Sequence, residues 1–310
     1  YSLFLKNFNE KKKLIFNNKI INYSDFKKEI ENFSKILIIK KINKFAILSD
    51  NPKLVSVALF ASAKEGKTII TLNKSLLKRQ IDIQLKTTKP DIIISDNYFY
   101  LKKFKSFDYF VYKNTDNFHS KKETKNKTYN KSILEKDYII TLSSGTTSIP
   151  KPIVYDQKTK YLRFKQMKKI FKINKGDDIF SVSPIDHSLG QRLLFLALLN
   201  GSSFIYMSKY DLKNIIKLGK KFNFKFACLP SNYLKLLKKN LINKSIKIKK
   251  IVSAASSLAN KDKKILLKKN INLYEMYGAA EIGTVTSINF NNNKSLVGSV
   301  GKILKNIDIK

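Results

Sequence analysis

An α/β fold built on parallel sheets is what this sequence predicts, and three observations carry the prediction. Short β-branched and aromatic runs alternate with helical patterns along most of the 310 residues. The helical stretches carry their own punctuation, as in NPKLVSVALFASAKEG (51–66), where Pro52 opens and Gly66 closes the pattern. Hydrophobic residues make up 43% and charged residues 27%, enough apolar material for a sizeable core.

The elements follow in order. FAILS (45–49) reads as a strand, 51–66 as a helix and TIITL (68–72) as the next strand. Residues 75–87 read as a helix, DIIIS (91–95) as a strand and DYFVY (108–112) as one more. The stretch 113–136 is polar and aperiodic, which predicts a surface connection between subdomains at 1–112 and 137–310. DYIITLS (137–143) is a strand, and 157–171 is helical. Strands then fall at 179–183, 203–207, 226–230, 248–254 and 271–277. Helices fall between them at 189–199, 211–222, 231–239 and 260–269.

Composition excludes several function classes. Cys228 is the only cysteine, so neither a disulfide framework nor a thiolate metal site is available. His119 and His187 are the only histidines, which excludes a His-rich metal site. The formal charge is +38, yet of 61 basic residues only Arg79, Arg163 and Arg192 are arginines. The lysines are spread along the whole chain, as A/T-rich codons and solvated faces would leave them. Specific nucleic-acid readers favour arginine for its bidentate geometry, so no specific nucleic-acid partner is expected. No apolar run approaches the ~18 residues of a membrane span, and the start has no hydrophobic signal region, so a cytoplasmic location is expected.

Three stretches carry chemistry. SSGTTSIPKP (143–152) follows a predicted strand and is read as preceding a helix. It lacks the GxxxxGK[ST] spacing of the common phosphate loop. Gly145 lets backbone approach an anion, Ser143, Ser144, Thr146 and Thr147 donate hydrogen bonds, and Lys151 adds positive charge. On these residues alone the stretch reads equally well as a hydroxyl-rich turn. YEMYGAAEIG (274–283) ends another predicted strand, and its Glu281 is a lone carboxylate suited to Mg²⁺ that is also held by phosphates. VSAASSL (252–258) ends a third strand in small residues against which a flat ring could lie. In open α/β sheets ligands bind beyond the carboxyl ends of strands.

Together these residues resemble the adenylate-forming superfamily of acyl- and aryl-CoA synthetases, luciferases and the adenylation domains of peptide synthetases. Residues 143–151 follow its [ST]SGTTGxPKG loop, with Ser148 and Pro152 in place of glycines. Tyr277-Gly278-Ala279-Ala280-Glu281 resembles YGxTE, with Ala280 where a threonine is usual, at a cost of ~1 kcal/mol for one neutral hydrogen bond. Ser253–Leu258 looks like the SGGAPL segment, and SPIDHSLG resembles PLFHxxG through Pro184, His187 and Gly190. The opening FNNKIINYSDFKKEIENFSKIL and the closing LVGSVGKILKNIDIK also resemble family segments, so nearly all of the chain aligns in kind.

The resemblance implies two stacked αβαβα-type subdomains of the adenylate-forming N-terminal domain, with an incomplete β-barrel. It implies ATP, Mg²⁺ and coenzyme A as ligands and a fatty or aryl carboxylic acid as the small-molecule substrate. The acid attacks the α-phosphate of ATP to give an acyl-adenylate, and the CoA sulfur then displaces AMP. Ser143–Thr147 and Lys151 would hold the phosphates. Ala254, Ala255, Ser256, Glu275, Met276, Tyr277 and Gly278 would hold adenine. Glu281 would hold the metal, and His187 with Gly190 would line the acyl pocket. Alone, His187 reads first as a partly buried core histidine. The family pattern continues past Lys310 into a TGD segment and a C-terminal domain with a catalytic lysine, so the chain is expected to lack that domain and to be inactive alone. Two alternatives stay open: an amino-acid adenylation domain, with Asp186 and Ser188 read as part of an FDxS-like motif, and a non-catalytic nucleotide-binding protein.

Overall fold

The computed structural model describes residues 1–113, 131–142, 151–305 and 307–308. The loop 143–150, and 114–130 of the expected connection, lie outside the described residues. In chain order the elements are α1 (Ser2–Lys6), β1 (Lys13–Phe16), β2 (Lys19–Asn22), α2 (Tyr23–Ile39), β3 (Lys44–Ile47), α3 (Pro52–Glu65), β4 (Thr68–Thr71), α4 (Lys78–Thr88), β5 (Ile92–Ser95), α5 (Tyr98–Leu101), β6 (Tyr109–Val111), α6 (Lys131–Leu134) and β7 (Asp137–Leu142). They continue with β8 (Pro152–Asp156), α7 (Gln157–Ile170), β9 (Ile179–Ser181), α8 (Ser188–Asn200), β10 (Phe204–Tyr206), α9 (Leu212–Lys221), β11 (Phe226–Pro230), α10 (Ser231–Ile242), β12 (Lys250–Ala254), α11 (Asn260–Lys268), β13 (Leu273–Ala279), β14 (Gly283–Asn289) and β15 (Lys302–Ile303).

Two sheets result. One has the order β6-β5-β3-β4-β7-β8, the other β15-β14-β13-β12-β11-β9-β10-β1-β2. Parallel pairs dominate both, and neither closes into a barrel among the described residues. Antiparallel pairs include β7–β8, β13–β14 and β14–β15. β13 and β14, joined by a three-residue turn, return antiparallel, whereas a parallel return needs a crossover. The structure corrects the expected strand-to-helix step at 143–152. β8 lies between the loop and α7, so the loop joins two antiparallel strands. Pro152 is the first residue of β8, an edge strand, where its missing N–H is tolerated.

The chain divides into two compact units, one of residues 1–6, 21–162 and 184–191, the other of 7–20, 163–183 and 192–310. This differs from the expected subdomains at 1–112 and 137–310. β7 pairs with β4, which holds 137–142 in the first sheet, and β1 pairs with β10, which holds the early hairpin in the second.

Within the first unit the central strands β3, β4, β5 and β7 of the six-stranded sheet are buried on both faces. Ala46, Ile70, Ile93 and Ile140 share one face with Ile81, Leu85 and Leu101. On the other face Phe45 meets Phe33 of α2 with ring centroids 5.8 Å apart. This two-sided burial explains the continuously apolar strands. α3 is buried from Leu54 to Ala63, and its ends follow from local chemistry. Asn51 Oδ1 accepts from Lys53 N and Leu54 N, Pro52 opens the first turn, and Gly66 closes the helix at φ +63°.

In the second unit Ile15, Phe180, Ile205, Ala227, Ile251 and Leu273 form one face, covered by α9, α10 and α11 through Ile215, Leu218, Leu234, Leu237 and Leu266. The opposite face carries Phe226 and Tyr274, each with its ring 5.6 Å from Phe171. Cys228 lies buried in β11, and burial pushes its thiol up to about 12, against the weaker opposing pull of Arg192. We therefore expect no iodoacetamide labelling of the native protein at pH 8 and one equivalent after denaturation. Rapid native labelling would contradict that burial. No helix among the described residues is long and apolar enough to cross a membrane.

Candidate active site

In the first unit, the segment 184–191 is tied to the sheet through the end of β4. Thr71 Oγ1 donates to Asp186 O at 3.0 Å, and Gln191 Nε2 donates to Thr71 Oγ1 at 3.2 Å. Gln191 Oε1 accepts from Lys160 Nζ at 2.8 Å, and that ammonium lies 3.8 Å from the centre of the Tyr155 ring. Lys160 and Gln191 are both buried. The network fixes the turn that presents His187, whose N–H donates to Pro184 O at 3.1 Å. The imidazole is exposed, and its Nε2 lies 3.0 Å from Asn73 Nδ2. This contact is a hydrogen bond from Asn73 when the neutral ring carries its proton on Nδ1.

Asn73 was not among the residues singled out by sequence. Its signal was position, just beyond the carboxyl end of β4. The Asp186 carboxyl lies 3.9 Å from His187 Nε2. Burial raises its pKa, opposed by the neighbouring His187. Gly190 is buried in the first turn of α8. Lys151 is exposed and immediately precedes β8, while Ser143, Ser144, Gly145, Thr146 and Thr147 lie outside the described residues.

In the second unit, β12 and β13 run parallel side by side, so their carboxyl ends bring 254–258 and 275–281 together. Ala254 is buried at the strand end, and Ala255 turns the chain at φ +67°. Ser256 is exposed, with its Oγ 2.6 Å from Ser231 Oγ. Met276 is half-buried and Tyr277 is exposed.

Two residues of the expected adenine segment also have structural duties. Glu275 is 3% exposed and forms an ion pair with Lys263, which is 2% exposed. Its other oxygen accepts from Leu258 N at 3.3 Å, and Lys263 Nζ also donates to Val297 O at 3.1 Å. The Glu275 side chain is therefore a buried brace that ties the end of β12 to β13. Gly278 is required by the β13–β14 hairpin, because a Cβ there would lie 1.9 Å from Gly283 O.

Glu281 is exposed in the three-residue turn between β13 and β14. Among the described residues no group of three or more His, Cys, Asp or Glu side chains could hold a metal ion. A protein cage is thus not what these residues offer. A single exposed carboxylate does fit Mg²⁺, which takes one or two carboxylates and completes its shell with water and phosphate oxygens.

The sequence profile described as AMP-binding enzyme matches residues 4–310. The chain belongs to that family. No curated protein matches it by sequence. Among solved structures this AMP-binding family member is similar to O-succinylbenzoate coenzyme A synthetase (MenE) from Bacillus subtilis in complex with AMP. That match has 16% identity and a TM-score of 0.86, over 98% of this chain and 80% of the other. MenE in complex with ATP and magnesium ion matches at 15% identity and a TM-score of 0.85, over 98% of this chain and 65% of that one. The inhibitor-bound N-terminal domain of FACL13 from Mycobacterium tuberculosis matches at 13% identity and a TM-score of 0.85, over 97% of this chain and 81% of that one. At these identities the likeness shows a shared fold. This AMP-binding chain spans just under two thirds of the ATP-bound MenE chain.

Proposed function

We propose that this chain carries the nucleotide- and acid-binding part of a ligase that activates a carboxylic acid with ATP as an acyl-adenylate and passes it to coenzyme A. The observation that carries the proposal is the family match over 4–310; the exposed carboxylate of Glu281, in the turn after β13, is consistent with it. Ser143–Thr147 and Lys151 bind the phosphates of ATP in this reading. Ala254–Ser256, Met276 and Tyr277 flank the adenine, and Glu275 and Gly278 support them from beneath. His187 and Gly190 border the acid, with Asn73 orienting the imidazole. Glu281 would hold Mg²⁺, which would supply positive charge against phosphate oxygens. The thioester step, a fatty or aryl substrate and a cytoplasmic location belong to the same proposal for the whole protein.

Asp186 bears on the amino-acid alternative. Its carboxyl lies 3.9 Å from His187 Nε2, so a substrate ammonium would have to share it with that ring. The test is ATP–pyrophosphate exchange by the full-length gene product over a panel of straight-chain, aryl and amino acids. Exchange with uncharged acids is the expected result. Preference for amino acids would transfer the assignment to an adenylation domain serving a carrier protein. ATP binding without exchange for any acid would leave only a nucleotide-binding protein.

A further inference from the structure

Two of the three arginines in this lysine-rich chain converge on one turn. Arg163 of α7 donates from Nη1 to Ala280 O and from Nη2 to Glu281 O, both at 2.9 Å. Gln166, one helical turn further along α7, donates to Thr284 O at 3.3 Å. Arg192 of α8 donates to Thr284 Oγ1 at 2.9 Å. The β13–β14 ladder stops at the pair Ala279↔Gly283, so the carbonyls of 280 and 281 lie in the turn itself. Gly283 closes the turn at φ +83°, a left-handed conformation that favours glycine.

From this geometry we infer that Arg163 is a positioning residue for Glu281, acting through the backbone of the turn that carries it. The inference rests on the proposed role of Glu281 at the metal. A planar guanidinium reaches two successive carbonyls with parallel N–H bonds and holds the peptide between them in one orientation. A lysine ammonium is a compact, strongly hydrated point charge with no such plane. This chain uses lysine at nearly every basic position, and at this one the fork has a geometric task. Gln166 and Arg192 hold Thr284 at the start of β14, just past the turn, while the Glu281 carboxylate stays exposed.

The experiment compares Arg163→Lys, Arg163→Met and Glu281→Gln in the full-length protein. Binding of Mn²⁺ in the presence of a non-hydrolysable ATP analogue is followed by electron paramagnetic resonance, with hydrogen exchange and thermal melting alongside. The expected result is a loss of about ten-fold or more in Mn²⁺ affinity for Arg163→Lys, the scale found when groups that orient a metal ligand are removed. Amides of 281–284 should exchange faster, with those of β12 unchanged. Wild-type Mn²⁺ affinity in both Arg163 variants, with affinity lost in Glu281→Gln, would overturn the positioning role and leave the metal assignment standing. Unchanged affinity in Glu281→Gln would overturn both. Lower melting temperature in the Arg163 variants with unaltered metal binding would reduce Arg163 to a structural contact and also overturn the inference.

Discussion

Glu281→Gln is expected to lower ATP–pyrophosphate exchange by about 100-fold or more, the scale of losing one group that stabilises developing charge. The fold should not change. The side chain is exposed in a turn, and the turn is held through its backbone carbonyls, which the substitution leaves in place. Melting temperature and hydrogen exchange in β13 should therefore match the parent protein. Lys151→Ala should behave alike, because this exposed lysine precedes the edge strand β8 and carries no core packing. Full exchange activity in both variants would contradict the phosphate and metal roles proposed for Lys151 and Glu281.

Lys263→Met is expected to act on the fold first. It leaves the Glu275 carboxylate 3% exposed without its ammonium partner, and breaking such a buried pair costs about 3–5 kcal/mol. Val297 O loses a donor at the same time. The urea midpoint should fall accordingly, and the KM for ATP should rise, since Glu275 also holds Leu258 N at the end of the proposed adenine segment. Adding Glu275→Leu should recover much of the stability by removing the unpaired charge. A single variant as stable as the parent would show that the pair is not buried as described.

Much of this architecture was legible in the sequence. α3 announced itself through Asn51, Pro52 and Gly66, each of which has its expected role at the helix ends. The strands at 226–230 and 92–95 were readable because two-sided burial demands unbroken apolar runs. β8, β14 and β15 were not readable. They are edge or near-edge strands; β8 and β15 are largely exposed, and the three-residue turn into β14 lacks a strong Asn-Gly or Gly-Gly signal.

The site was legible as motifs but not as mechanics. Glu275 looked like one more residue of the YEMYG stretch, and only the arrival of Lys263 from α11 reveals its buried role. Arg163 lay outside every motif. Its one signal was rarity, an arginine where the chain otherwise writes lysine, and its partners depend on which helix meets which hairpin.

The pairing of β1 with β10 has a consequence for how the chain is made. Leu14 meets Phe204, so β1 leaves the ribosome about 190 residues before its partner, roughly ten to forty seconds at typical rates of synthesis. Residues 21–162, which lie in the other unit, are completed in that interval. The second sheet must therefore wait for its far half with one early hairpin already exposed. That interval is when a nascent chain of this kind is most open to chaperones and to pairing with the wrong strand.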